Sequence, residues 1–239
     1  MVRKIESAYG KLLRGVFFAV NPIKKIAVKT TCIIHKFINV QSIQILHNEG
    51  ELDAWRFYKS HIRPLNAGVK WADGDFKSSN HFFHYQKERG LYGFSNALSE
   101  CEKYYKQSLD YLKKGDMDKA LFFLGASCHL VQDSTVPHHV NNKLLKKHRE
   151  FELWIISRLF NDYDFTEEKG IIQYKTVKEY IKENALYAYG VHEEYDPIVE
   201  KEERYYNIAF RILSRAQQST AGFLLDYYNK NLKEKNSSK

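Results

Sequence analysis

The stretch from Asp116 to Pro137, "DMDKALFFLGASCHLVQDSTVP", most narrows what this chain can become. An aspartate opens it, a proline closes it, and the run between starts like a buried helix. The same helical signal recurs along the chain. Apolar residues from Ile5 to Val20 keep the 3.6-residue period, and further helices are expected over about Thr31–His47, Glu51–His61 and Ser95–Gly115. Beyond Pro137, helices are expected over about 142–160, from a cap near Thr176 to Gly190, and from Asp196-Pro197 to about Tyr228. Between Ile62 and Tyr92 the pattern breaks into Gly, Asn, Asp and Ser, which reads as a long loop, and such loops are usually functional. With 12 Gly and 4 Pro in 239 residues there are too few turns for a sandwich or barrel. The expected fold is all-α, a single-domain helical bundle. A basic amphipathic segment (1–30) precedes the domain (31–230), and a polar tail (231–239) follows it.

The charge of +8 suits phosphate-bearing partners, either nucleic acid or an anionic membrane. Three widely spaced cysteines, with no CxxC pair, do not make a disulfide framework. The longest apolar run near the N-terminus, Val16–Val20, is short of the ~7–15 residues of a signal peptide. A cytoplasmic or peripheral-membrane location is therefore expected, with secretion as the alternative.

Polar residues stand out against this helical background. His129 and Asp133 are four apart, as are His148 and Glu152, so each pair shares a helix face. His139 follows the proline break, His35 sits in an amphipathic helix, and Asp73 and His81 lie on the long loop. Imidazoles mixed with carboxylates suit zinc. Taken singly, each also has an ordinary structural reading: a hydrogen-bonded pair, an exposed face, a core histidine or a turn aspartate.

The order of these residues resembles the zinc-dependent phospholipase C family, a relative of the single-strand-specific zinc nucleases. The resemblance rests on His129, Asp133, Pro137, His139 and Asn142 followed by His148 and Glu152. It is extended by "WADGDFKSSNHFF" with Asp73 and His81, by "CIIHKFINVQ" with His35, and by "AQQSTAGFLLDYY" as the last core helix. It implies a helical bundle with a multi-zinc site at one end. In that family pattern Asp73, His81, His129 and Asp133 hold one zinc, and His139, His148 and Glu152 a second. His35 and a bridging Asp133 contribute to a third. The implied reaction is phosphodiester hydrolysis by a metal-activated water, with Asp73 as the candidate general base.

Three departures bear on that expectation. Secreted members close the third zinc site with an N-terminal tryptophan, and no tryptophan precedes His35 here. Two firmly held zincs are expected, with the third weak or empty. Cys32 lies three residues before His35, but a small cysteine on an apolar face is the expected reading. Choline-cleaving members carry aromatics where this chain has Gly74 and Ser78, so no choline box is expected. Within the motif, the family's Tyr and Gly are Leu130 and Gln132. The leading reading is a phospholipase C acting on phospholipid at a membrane surface, which Glu152 favours because the nucleases carry Asp there. A zinc nuclease on single-stranded nucleic acid is the alternative. A lipid-surface protein that keeps the fold without the activity is the third.

Overall fold

The structure, a computed structural model, describes residues 32–74, 81, 83–84, 96–140, 145–159 and 165–233; within 145–159 side chains are described from Glu150. The expected N-terminal amphipathic segment, the polar tail from residue 234, Ser78, Asn142 and the His148 side chain lie outside the described residues. Nine helices and no strand occur among the described residues. They are α1 (Ile33–Asn48), α2 (Leu52–Ser60), α3 (Ile62–Ala72), α4 (Ala97–Lys113), α5 (Met117–Asp133), α6 (Pro137–Val140), α7 (Leu145–Leu159), α8 (Val177–Tyr195) and α9 (Lys201–Asn231).

Helix α5 is the hub. The Asp116 carboxylate caps it by accepting from the Lys119 N–H at 3.0 Å. From Leu124 to Asp133 every residue is buried, so its second half is enclosed on all sides. Helices α3 and α4 cover it on two flanks, and α8 and α9 close the rest. The C-terminal carbonyls of α5 do not go unmet. Ser134 Oγ and Asn184 Nδ2 both donate to the Val131 carbonyl (2.7 and 3.1 Å), and Thr135 Oγ1 donates to that of Gln132 at 2.8 Å. These bonds hold the end of α5, where Asp133 sits, in a fixed place.

Two apolar cores result. One gathers Leu46, Tyr58, Leu65, Leu124, Phe223 and Tyr227 around α5, and the other joins Ile38, Phe151, Ile155 and Ile212 at the α1–α7–α9 junction. Helix α9, at 31 residues, runs through both. An extended segment lies across it, tied by Gln217, whose Nε2 donates to Phe165 O and whose Oε1 accepts from Glu167 N (2.7 and 2.9 Å).

Three expectations need correction. The stretch expected to be a loop from Ile62 begins instead with the eleven-residue helix α3. Pro64 falls in its first turn, where no backbone N–H is needed, and Gly68 marks a close crossing with α5 rather than a turn. Gly190 does not stop α8, which continues to Tyr195. Helix α9 starts at Lys201, not at Pro197, because the Glu200 carboxylate caps it by accepting from Glu202 and Glu203 N–H groups.

Candidate metal centre

At the C-terminal end of α5, His129 and Asp133 lie one turn apart and face the same way. His129 Nε2 is 3.1 Å from Asp133 Oδ2. His81 arrives from the segment after α3, its Nδ1 2.9 Å from the same Oδ2 and 3.3 Å from His129 Nε2. His35 comes from the first turn of α1 and approaches the other carboxylate oxygen, Nε2 to Oδ1 at 3.3 Å. His139, on α6, places Nδ1 4.0 Å from Oδ2. The two oxygens of Asp133 are thus divided: Oδ2 faces His81 and His129, Oδ1 faces His35.

Hydrogen bonds behind the rings decide which nitrogens face inward. His81 Nε2 donates to the Ala72 carbonyl at 3.1 Å, which leaves the Nδ1 lone pair aimed at the cluster. His35 is set by a chain of amides. Asn39 Nδ2 donates to Asn66 Oδ1 (2.9 Å), and Gln132 Nε2 donates to Asn39 Oδ1 (2.8 Å). Gln132 Oε1 is then left to accept from His35 Nδ1–H at 2.9 Å, so His35 Nε2 presents its lone pair to Asp133. Sequence reading noted Gln132 only as a departure from the family pattern and passed over Asn39 and Asn66. Asn39 did carry a signal: an amide inside an apolar helix, four residues from His35.

The cluster is poorly satisfied by itself. Burial pushes His35 and His129 below the ordinary imidazole value, so both are neutral at pH 7. Burial alone would raise Asp133, but the imidazoles of His129 and His139 outweigh it and keep a carboxylate there. Among the described residues Asp133 Oδ2 has only the ring nitrogens of His81 and His129 beside it and no well-directed donor, and His129 Nδ1 has no partner. A buried, unsatisfied carboxylate costs about 1–3 kcal/mol or more. It also stands at the negative end of the α5 dipole. Inward-facing lone pairs around such a charge are a donor set for a cation.

The remaining expected residues fall nearby or outside. Asp73, the C-cap of α3, is open to water on one side but within electrostatic reach of His35, Asp133, His81 and Glu152. Desolvation first, then the Asp133 charge, raises its carboxyl above the ordinary value. Glu152 on α7 shares with His35, Gln132 and Asp133 the lining of a void of about 30 Å³, room for an ion or a water. Cys32 is buried, as expected of a small cysteine. It belongs to neither apolar core, and its Sγ lies within 4.8 Å of ring nitrogens of both His35 and His129.

The sequence profile of the zinc-dependent phospholipase C family matches residues 34–202, a span holding every one of the expected ligands. The chain belongs to the zinc-dependent phospholipase C family. Among solved structures this zinc-dependent phospholipase C-family chain is similar to the alpha toxin of Clostridium absonum, with a TM-score of 0.71 at 17% identity. It is also similar to the Clostridium perfringens alpha-toxin from an avian strain, with a TM-score of 0.70 at 18% identity. Each likeness covers 83% of this chain and 64% of the toxin chain, so this family member spans about two thirds of the toxins' length. At such identity the likeness speaks for the fold. No curated protein matches the chain. Among the described residues, no helix is long and apolar enough to cross a membrane.

Proposed function

We propose that this protein is a zinc-dependent phosphodiesterase of phospholipase C type that cleaves head groups from phospholipid at a membrane surface. The observation that carries the reading is the convergence of His35, His81 and His129 on the two oxygens of Asp133. His81 Nδ1, His129 Nε2 and Asp133 Oδ2 would hold one zinc, with Asp73 beside them. His139, His148 and Glu152 would serve a second, and Asp133 would bridge to a site at His35. Bound zinc would draw charge from the phosphate oxygens and make hydroxide available near neutral pH.

The chain's own residues supply the rest. Asp73, with its raised carboxyl pKa and its open side, takes the proton of the water that attacks phosphorus. Burial of His129 and Asp133 excludes bulk water and strengthens every charge interaction with the phosphate. Trp71, two residues before Asp73, and Leu153, next to Glu152, are both exposed apolar side chains that suit contact with lipid.

The deciding assay presents the zinc-loaded chain with mixed phospholipid micelles and, separately, with single-stranded DNA. Release of phosphorylated head groups, abolished by a chelator and restored by zinc, is the expected result. Faster cleavage of DNA than of lipid, or no cleavage of either, would overturn the reading.

A further inference from the structure

Building on that reading, we propose that Cys32 is a thiolate ligand. With His35 Nε2 and Asp133 Oδ1 it completes a metal site that shares Asp133 with the His81–His129 site. Sequence reasoning left this position with only two protein ligands, too few for firm zinc binding.

Several observations converge on it. Cys32, His35 and His129 offer ligand atoms that all lie within 4.8 Å of one another. A zinc bonded to sulfur at ~2.3 Å and to nitrogen at ~2.0–2.1 Å holds the two about 3.5 Å apart, so the site closes with a contraction of at most about 1.3 Å. His35 already faces Asp133 Oδ1 at 3.3 Å with its ring fixed by Gln132. The ring of His129 packs 4.2 Å from that of His35; its side chain is 1% exposed and its Nδ1 has no hydrogen-bond partner. Among the described residues no donor or acceptor meets His129 Nδ1.

The thiol's hydrogen-bond partner is the Asp73 carboxyl, itself at the edge of the cluster. Cys32 occupies the N-cap position of α1, yet its side chain makes no capping bond. Cys101 and Cys128 are packed in the apolar core, whereas Cys32 is in neither core and lies against the Asp73 carboxyl. Its backbone is left-handed, φ 61°, the one non-glycine residue so placed among the described residues. That conformation favours glycine.

The left-handed backbone also supplies a clean test, because Cys32→Gly removes the sulfur while suiting the conformation. The full-length chain and the variant are stripped of metal, loaded with cobalt(II) or zinc, and dialysed. The expected result is a thiolate-to-cobalt absorption band in the native chain that Cys32→Gly lacks. The variant should retain one metal fewer per chain at unchanged or higher thermal stability in the metal-free state. In the native chain, zinc should protect Cys32 from alkylation as followed by mass spectrometry. Metal retained without a thiolate band, or equal metal content in the two proteins, overturns the Cys32 assignment and leaves the phospholipase C reading standing. A native chain that retains no metal overturns both.

Discussion

The close crossing of α3 and α5 makes the sharpest test of how the fold holds the site. A Cβ built on Gly125 would lie 2.0 Å from the Leu65 carbonyl oxygen, and one on Gly68 would lie 1.7 Å from that of Phe122. The contact is reciprocal, each glycine seated on the carbonyl three residues before the other. Ordinary contact begins near 3.4 Å, so Gly125→Ala must part the helices by about 1.4 Å. Overpacking of this kind costs ~1–3 kcal/mol, while alanine's better helix propensity returns ~0.5–1 kcal/mol. With a backbone clash of 2.0 Å the cost falls at the upper end, so the net loss is about 2 kcal/mol, or roughly 4–8 °C in melting temperature for a chain of this size. The displacement also reaches the site, because α3 ends at Asp73 and holds His81 through the Ala72 carbonyl. Metal ligands tolerate only ~0.2 Å, so zinc affinity should fall by at least ~10-fold. Gly190→Ala is the control: no atom lies within 4 Å of where its Cβ would stand, and it is mid-helix, so it should gain ~0.5–1 kcal/mol. Thermal melts with and without zinc read both variants. A Gly125→Ala chain as stable as the native one, or a destabilised Gly190→Ala, would refute the packing argument.

Asp133→Asn should reduce lipid hydrolysis by at least ~100-fold and release zinc, with helix content by circular dichroism unchanged; full metal content at native turnover would contradict the bridging role. Gln132→Leu removes the acceptor that orients His35, and zinc affinity at the His35 site should drop ~10–100-fold; calorimetric titration showing native affinity would dismiss the amide chain. The zinc-free protein should lose stability as pH falls from about 6.5. His35 and His129 are held neutral in the fold and take up protons on unfolding, each contributing up to ~1.4 kcal/mol per pH unit until its lowered pKa is reached. The depressed pKa of Asp133 acts with the same sign at more acid pH. Urea midpoints that stay level or rise from pH 7.5 to 5 would show that these histidines are not held neutral.

Helix starts were legible where short polar caps stand in sequence, as at Asp116 and at Thr176, whose Oγ1 accepts from the Glu179 N–H. They were not where a residue acts outside its usual habit. Glu200 caps α9 although glutamate is not among the common caps, and Pro64 and Gly68, both punctuation in a sequence, lie within α3. What makes Gly68 helical is a backbone 54 positions away at Phe122, invisible to local pattern. The histidines could be seen because two of their spacings follow one helix turn. The amide that orients His35 could not, since Gln132 and Asn39 are separated by 93 positions.

The departures from local preference are not scattered; they meet at one place. A carboxylate at a helix C-terminus opposes the dipole, and Asp133 is there. Asparagine lowers helix propensity and a buried amide must find partners, and Asn39 and Gln132 are there, fully buried. A left-handed β-carbon-bearing residue is strained, and Cys32 is there. Each cost alone would be a defect to be removed by selection for stability. Together they gather around Asp133, which with His35, Gln132 and Glu152 also lines a small void, and Asp133 Oδ2 has no hydrogen-bond partner among the described residues. A cation at that point offsets the electrostatic costs. It neutralises the carboxylate, takes the imidazole lone pairs and gives the amide chain a ring to hold. The local departures thus cluster at the residues that could hold a metal, and functional sites are where sequences that otherwise obey local rules are expected to break them.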